Sequence, residues 1–246
     1  MPEGPSIVIL KELIDEQQLV GKKVIAVEGN TKIDKQRMLD QEVLAVKTWG
    51  KHFLLCFADF SLRIHFLLFG TYRINERKES AARLSLIFDD AEINLYGCSL
   101  QFLEGDINAH YDWTADVMSP FWDPESAMKK LNAHPKLLVC DALLDQNIFA
   151  GVGNIIKNEV LFRIMLHPLS NWGALPENKK NQLIEQAQEY SFEFLLWKKE
   201  YTLKAHWLAH TKKICPRCNI PFHKEYLGKT NRRTYYCSNC QQLFGI

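Results

Sequence analysis

The sequence predicts an α+β protein: a leading helix and an N-terminal antiparallel β-sandwich or flattened barrel, then a helical domain, then a small metal-stapled module. Three observations carry this. Short β-rich runs fill the text from Lys22 to about Glu104, helix-period text follows from Asp123 to Trp197, and four of the seven cysteines form two CxxC pairs near the C-terminus. With 246 residues, 47% of them apolar, the chain is long enough for more than one packed core.

Taking the elements in order, Ser6 is placed to cap a first helix running to about Val20. Ile7, Leu10, Leu13 and Ile14 share its apolar face and Gly21 is its stop. The runs KKVIAVEG, QEVLAVKTWGKHFLLCF, SLRIHFLL, GTYRIN, RLSLIF and AEINLYG then alternate apolar and polar residues between turn signals, the pattern of antiparallel strands. Irregular text around residues 108–124 places a domain boundary, giving domains at 1–115, 116–210 and 211–246. In the second, Asp123-Pro124 is an N-cap and first-turn pair for a helix to about Leu131. Lys136 to Phe149 and Asn154 to Ile164 read as helices separated by Ala150-Gly151-Val152-Gly153. Pro176 opens a long helix to about Trp197, with Leu183, Ala187, Tyr190, Phe194 and Trp197 inward.

No apolar run reaches membrane-spanning length and the N-terminus lacks an export pattern, so the chain is read as intracellular, in cytoplasm or nucleoid. A net charge of +1 announces no anionic partner, but between Lys199 and Arg233 nine Lys and Arg residues face only Glu200 and Glu225. That basic stretch overlaps the cysteines. Cys56, Cys98 and Cys140 stand alone in apolar text and read as buried thiols. Cys215, Cys218, Cys237 and Cys240, with 18 residues between the pairs, have the spacing of a structural tetrahedral zinc site with an intervening hairpin. Lys229, Asn231, Arg232 and Arg233 fall where that hairpin would turn, suiting either phosphate contact or simple solvation.

Two further segments have both a chemical and a plain reading. The helix start at Asn154 after Gly151-Val152-Gly153 could offer backbone N–H groups to a phosphate, or the glycines could merely turn the chain. Removal of Met1 would expose Pro2, a secondary amine with a pKa of roughly 8, able to attack an electrophilic sugar carbon with Glu3 beside it as acid or base. Standing alone, such an N-terminus has no special meaning.

Together these residues resemble the formamidopyrimidine-DNA glycosylase and endonuclease VIII family. Pro2-Glu3-Gly4-Pro5 is similar to the endonuclease VIII form of its N-terminus, and Gly50-Lys51-His52-Phe53-Leu54 to its strand-borne Gly-Lys. Gln146 to Glu159, followed by His167-Pro168, is similar to its helix-two-turn-helix, and Cys215 to Gln241 to its zinc finger. The resemblance implies a bifunctional DNA glycosylase and abasic-site lyase. Pro2 would attack the deoxyribose C1′ of a flipped, oxidised nucleotide, Glu3 would shuttle protons, and Lys51 would assist at the sugar and phosphate. Asn154 and Arg232, with Arg233 as the adjacent alternative, would hold flanking phosphates. Leu67-Leu68-Phe69 occupies the place of the family's void-filling residues, although such a run is more commonly core. Damaged DNA would be the partner of a monomer needing structural zinc but no small-molecule cofactor. Only 17 residues separate Trp197 from Cys215, which together with Pro2-Glu3-Gly4-Pro5 favours oxidised pyrimidines. One departure is Ser6, where the family usually carries an acid. A retained Met1 or an intolerant Ser6 would leave a weakened homologue that binds damaged DNA without turnover.

Overall fold

The computed structural model describes residues 2–245 and divides into two compact units, one ending at Tyr111 and the other beginning at Asp112. In the first unit, helix α1 (Gly4–Asp15) precedes six strands: β1 (Ala26–Glu28), β2 (Ala45–Trp49), β3 (His52–Cys56), β4 (Phe60–Ile74), β5 (Leu84–Ile87) and β6 (Glu92–Glu104). The N-cap of α1 is Glu3 rather than Ser6, which lies one turn inside. Pro5 in the first turn has its φ preset for the helix and needs no N–H partner there. Ile7, Leu10 and Ile14 form the buried stripe, while Leu13 is only half-buried. The helix stops at Asp15, short of Val20, because Gln18 turns into the left-handed region at φ +51° before Gly21 is reached.

The strands make one continuous antiparallel sheet, in the order β1-β5-β6-β4-β3-β2, and an antiparallel bridge between Lys23 and Glu42 joins the segments that lead into its two edge strands. Its continuity lies in β4 and β6. SLRIHFLL and GTYRIN, which read as separate runs, are one strand that pairs with β6 on both sides of an irregularity between Phe66 and Thr71. Across it, residues 67–70 oppose a single residue, Gly97. A β-bulge of this kind keeps the ladder continuous while bending the strand. The buried runs Phe53–Cys56 in β3 and Ile93–Tyr96 in β6 have both faces covered. The stripe of α1 packs into the same core as Val43, Phe53, Leu55, Leu62 and Ile93. At about 1.5–3 kcal/mol per fully buried large apolar side chain, this core anchors the N-terminus of the chain.

The second unit holds α2 (Pro124–Asn132), α3 (Val139–Ala142), α4 (Asn154–Arg163), α5 (Glu177–Lys199) and the hairpin β7 (His223–Leu227) and β8 (Arg232–Tyr236). Asp123 caps α2 by accepting from the Glu125 amide at 2.9 Å. The helix expected over 136–149 shrinks to the four residues of α3. The amides of Val139 and Cys140 bond the carbonyls of Ser170 and Pro168, and turns take the chain onward from Leu143. On α5, Leu183, Ala187, Tyr190 and Phe194 face the core and Trp197 packs at its margin. Cys56, Cys98 and Cys140 are buried free thiols. Among the described residues no helix is long and apolar enough to cross a membrane.

Candidate functional site

In the first unit, Pro2 is half-buried and directly precedes Glu3, whose side chain is 3% exposed at the start of α1. Lys51 is not on a strand. It is the second residue of the two-residue turn between β2 and β3, closed by the Trp49–His52 pair and opened by Gly50 at φ +53°. A glycine in the first central position with positive φ suits the twist of a tight hairpin.

Around that turn sits a cluster that sequence reading missed. His52 Nδ1 lies 3.1 Å from the Tyr111 hydroxyl, and the Trp49 and Tyr111 rings are 4.9 Å apart. Burial, with repulsion from Arg63, His65 and Lys51, pushes His52 down to about 4, so it is neutral at pH 7. Burial likewise lowers His65, partly offset by its hydrogen bond to the Lys51 backbone, and raises the Tyr111 phenol to about 12. The Lys51 turn therefore lies near neutral His52 and Tyr111 and the cationic Arg63. The only sequence signal was the density of His and aromatic residues in QEVLAVKTWGKHF and RIHF.

Leu67, Leu68 and Phe69 are 51%, 60% and 86% exposed, so they are not core. They ride on the bulge within β4, not on a turn between strands. The bulge depends on two glycines: a Cβ on Gly70 would stand 2.7 Å from the Gly97 carbonyl oxygen, and Gly97 itself has φ +59°.

In the second unit, Gly153 is the extended N-cap of α4 and only Gly151 of the pair has positive φ, at +97°. The Gln146 side chain stitches the turn, accepting from the Gly151 amide and donating to the Leu144 and Val152 carbonyls. Asn154 donates its side-chain amide to the Arg233 carbonyl at 2.9 Å, while its buried Oδ1 finds no partner among the described residues. The next polar residues on the helix would ordinarily form a solvated face, yet Lys157, Asn158 and Glu159 are all at most 1% exposed. Lys157 Nζ donates to Thr234 Oγ1 at 2.7 Å. Asn158 accepts from the Tyr235 amide and meets His210 Nδ1 at 3.0 Å. Glu159 accepts the amides of Leu208, Ala209 and His210 at 2.8, 2.9 and 2.6 Å. Helix α4 thus grips strand β8 and the segment before the cysteines.

The two arginines on β8 differ. Arg233 donates to the Tyr226 hydroxyl at 2.6 Å and lies over its ring. Arg232 is exposed, pairs in register with Leu227, and its guanidinium makes no hydrogen bond or ion pair among the described residues.

The Sγ atoms of Cys215, Cys218, Cys237 and Cys240 lie within 4.8 Å of one another, with Cys215 and Cys240 at 3.8 Å. Four thiolates about 2.3 Å from a tetrahedral ion are about 3.8 Å apart, so the donor set and spacing fit a metal ion. Arg217, inside the first knuckle, donates to the carbonyls of Phe162 and Arg163 and so caps the C-terminus of α4.

Sequence comparison joins these parts. The formamidopyrimidine-DNA glycosylase N-terminal domain matches residues 1–102, and the formamidopyrimidine-DNA glycosylase H2TH domain matches residues 115–192. The chain belongs to the formamidopyrimidine-DNA glycosylase and endonuclease VIII family. Endonuclease 8-like 3 of Xenopus laevis is 27% identical over 89% of the chain, and that of Homo sapiens 30% over 80%. The chain spans only 38% and 34% of the length of these two relatives. The DNA-(apurinic or apyrimidinic site) lyase Nei2 of Mycolicibacterium smegmatis is 26% identical and matches over 98% of the chain and 99% of its own length. Among solved structures, a viral DNA glycosylase superposes with a TM-score of 0.84 at 20% identity, covering 98% of this chain and 100% of that one. The Lactococcus lactis formamidopyrimidine DNA glycosylase bound to DNA containing an abasic site does so with the same score at 21% identity, covering 98% and 99%. These superpositions establish that the chain has the fold of the glycosylase family.

Proposed function

We propose that this protein is a bifunctional DNA glycosylase and abasic-site lyase that removes oxidised bases, pyrimidines foremost, from DNA. The observation that carries the reading is the N-terminus: Pro2 adjoins a buried Glu3 at the first turn of a helix anchored in the core. With Met1 removed, the neutral Pro2 nitrogen attacks C1′ of a flipped nucleotide. The glycosidic C–N bond breaks and its electron pair leaves with the base, which gains a proton. Glu3 moves protons at the sugar as its ring opens, leaving an iminium between Pro2 and C1′. Loss of a C2′ proton then expels the 3′ phosphate by β-elimination, and water hydrolyses the iminium.

Lys51 assists at the sugar and phosphate from its turn, next to a His52 that burial keeps neutral. Arg232, with its guanidinium uncommitted, is the better candidate than Arg233 for gripping a flanking phosphate. Asn154 supports the same grip, either directly or through its bond to the Arg233 carbonyl. Leu67, Leu68 and Phe69 fill the stack left by the flipped base. Zinc suits the four thiolates, and it would hold the hairpin that bears Arg232.

Borohydride trapping tests the reading. Processed protein, with Met1 shown absent by intact mass, should form a covalent complex with DNA containing an abasic site or thymine glycol, and Pro2→Gly should abolish it. Binding without trapping would instead identify a homologue that recognises damage but does not turn over.

A further inference from the structure

We propose that Asp141 is a positioning residue that fixes the tip of the β7–β8 hairpin and thereby sets where Arg232 stands, an inference that rests on Arg232 gripping phosphate. Asp141 lies on α3, 7% exposed, on backbone pinned by the Val139 and Cys140 amide bonds. Its carboxylate takes three donors from the hairpin tip: the Lys229 amide at 2.9 Å on Oδ2, and the Thr230 amide and hydroxyl, each at 3.1 Å, on Oδ1. Consecutive amides converging on one anion form the concavity by which short loops bind phosphate or carboxylate. Here the anion comes from the chain itself, 88 residues away.

The fit is close. Gly228 has φ +70°, and a Cβ there would lie 2.4 Å from Asp141 Oδ1, so only glycine lets the loop descend onto the carboxylate. The tip comprises residues 228–231, and Arg232 is the first residue beyond it. Because the Arg232 guanidinium bonds to nothing else among the described residues, its backbone alone aims it. Any freedom in the tip passes directly to that side chain. Its hydrogen bonds go to backbone N–H groups and a hydroxyl, not to a guanidinium, so they fix the loop itself.

The test measures equilibrium binding of the full metal-loaded protein to a duplex bearing a tetrahydrofuran abasic analogue, between about 50 and 200 mM salt. Arg232→Ala should flatten the salt slope by about one. Asp141→Ala should weaken binding about three- to tenfold with a similar flattening, yet add less than about twofold when Arg232 is already alanine. Metal content should stay unchanged. Asp141→Asn, which keeps the volume and one acceptor oxygen, should show the same dependence on Arg232 at smaller amplitude, and it serves if the alanine variant folds poorly. If Arg232→Ala has its effect but both Asp141 variants bind like wild type, or their effects simply add to it, the positioning role is overturned and the Arg232 grip survives. An Arg232→Ala variant that binds like wild type would overturn the grip itself.

Discussion

Replacing Glu159 by glutamine is expected to destabilise the helical unit by about 3 kcal/mol. The wild-type carboxylate is fully buried and receives three backbone amides: Leu208 on Oε2, and Ala209 and His210 on Oε1. Hydrogen bonds to a charged group contribute about 1.5–3 kcal/mol each. Glutamine keeps the shape and the Oε1 contacts but turns an N–H2 toward the Leu208 N–H, so one bond becomes a donor facing a donor and the other two lose their charge. Losing one charged bond outright and weakening two accounts for the figure. Urea unfolding monitored by tryptophan fluorescence should report it, and thermal unfolding should show a midpoint temperature lower by roughly 10 °C for a unit of this size. Hydrogen exchange at the amides of Leu208, Ala209 and His210 should accelerate by about two orders of magnitude. Unfolding within about 0.5 kcal/mol of wild type, with those three amides still protected, would refute the assignment of Glu159 as the clamp on this segment.

Four further outcomes are expected. Leu68→Ala combined with Phe69→Ala should change stability by less than about 0.5 kcal/mol, because both side chains are exposed, while lowering excision from duplex DNA about tenfold and from single strands far less. Ser6→Glu should stabilise the first unit by about 0.3–1 kcal/mol in thermal unfolding, since α1 has no acid in its first turn and no side-chain cap. His52 and His210 both titrate near 4 in the folded chain because burial excludes their charged forms. The unfolded chain takes up these protons at about 6.5, so their contribution is complete above pH 6.5, declines as pH falls toward 4 and levels off below. Unfolding at stepped pH should show this, and His210→Gln should flatten it in the helical unit. Chelation should release the cysteine module and abolish DNA binding while leaving the β-sheet unit folded, with circular dichroism and binding measured on the same sample.

Much of the candidate site could be read from short spacings. The two CxxC pairs, the Asp123-Pro124 cap and the long apolar stripe of α5 obey rules spanning a few residues, and the structure forms each where those rules put it. Ser6 was misread as a cap because it is a good capping residue by type, whereas Pro5 allows the helix to begin earlier and Glu3 takes the boundary. The helix expected over 136–149 failed for a different reason: Val139 and Cys140 bond their amides to carbonyls near residue 170, which fixes the start of α3 at Val139, and turns take over after Ala142.

By itself the sequence determined the four-cysteine module, the order of the β-rich unit before the helical one and, through several separate short motifs, the family to which the chain belongs, because each such motif is made of residues close together in the chain. Tertiary structure alone decided that Leu67–Phe69 leave the core, that Lys157, Asn158 and Glu159 enter it, and that Arg232 rather than Arg233 is left uncommitted. Those outcomes turn on partners tens of residues away: Gly97 across the bulge, the backbone of β8 and the 208–210 segment, the Tyr226 hydroxyl. A buried charge is tolerated only where such partners converge, and no local pattern records their arrival.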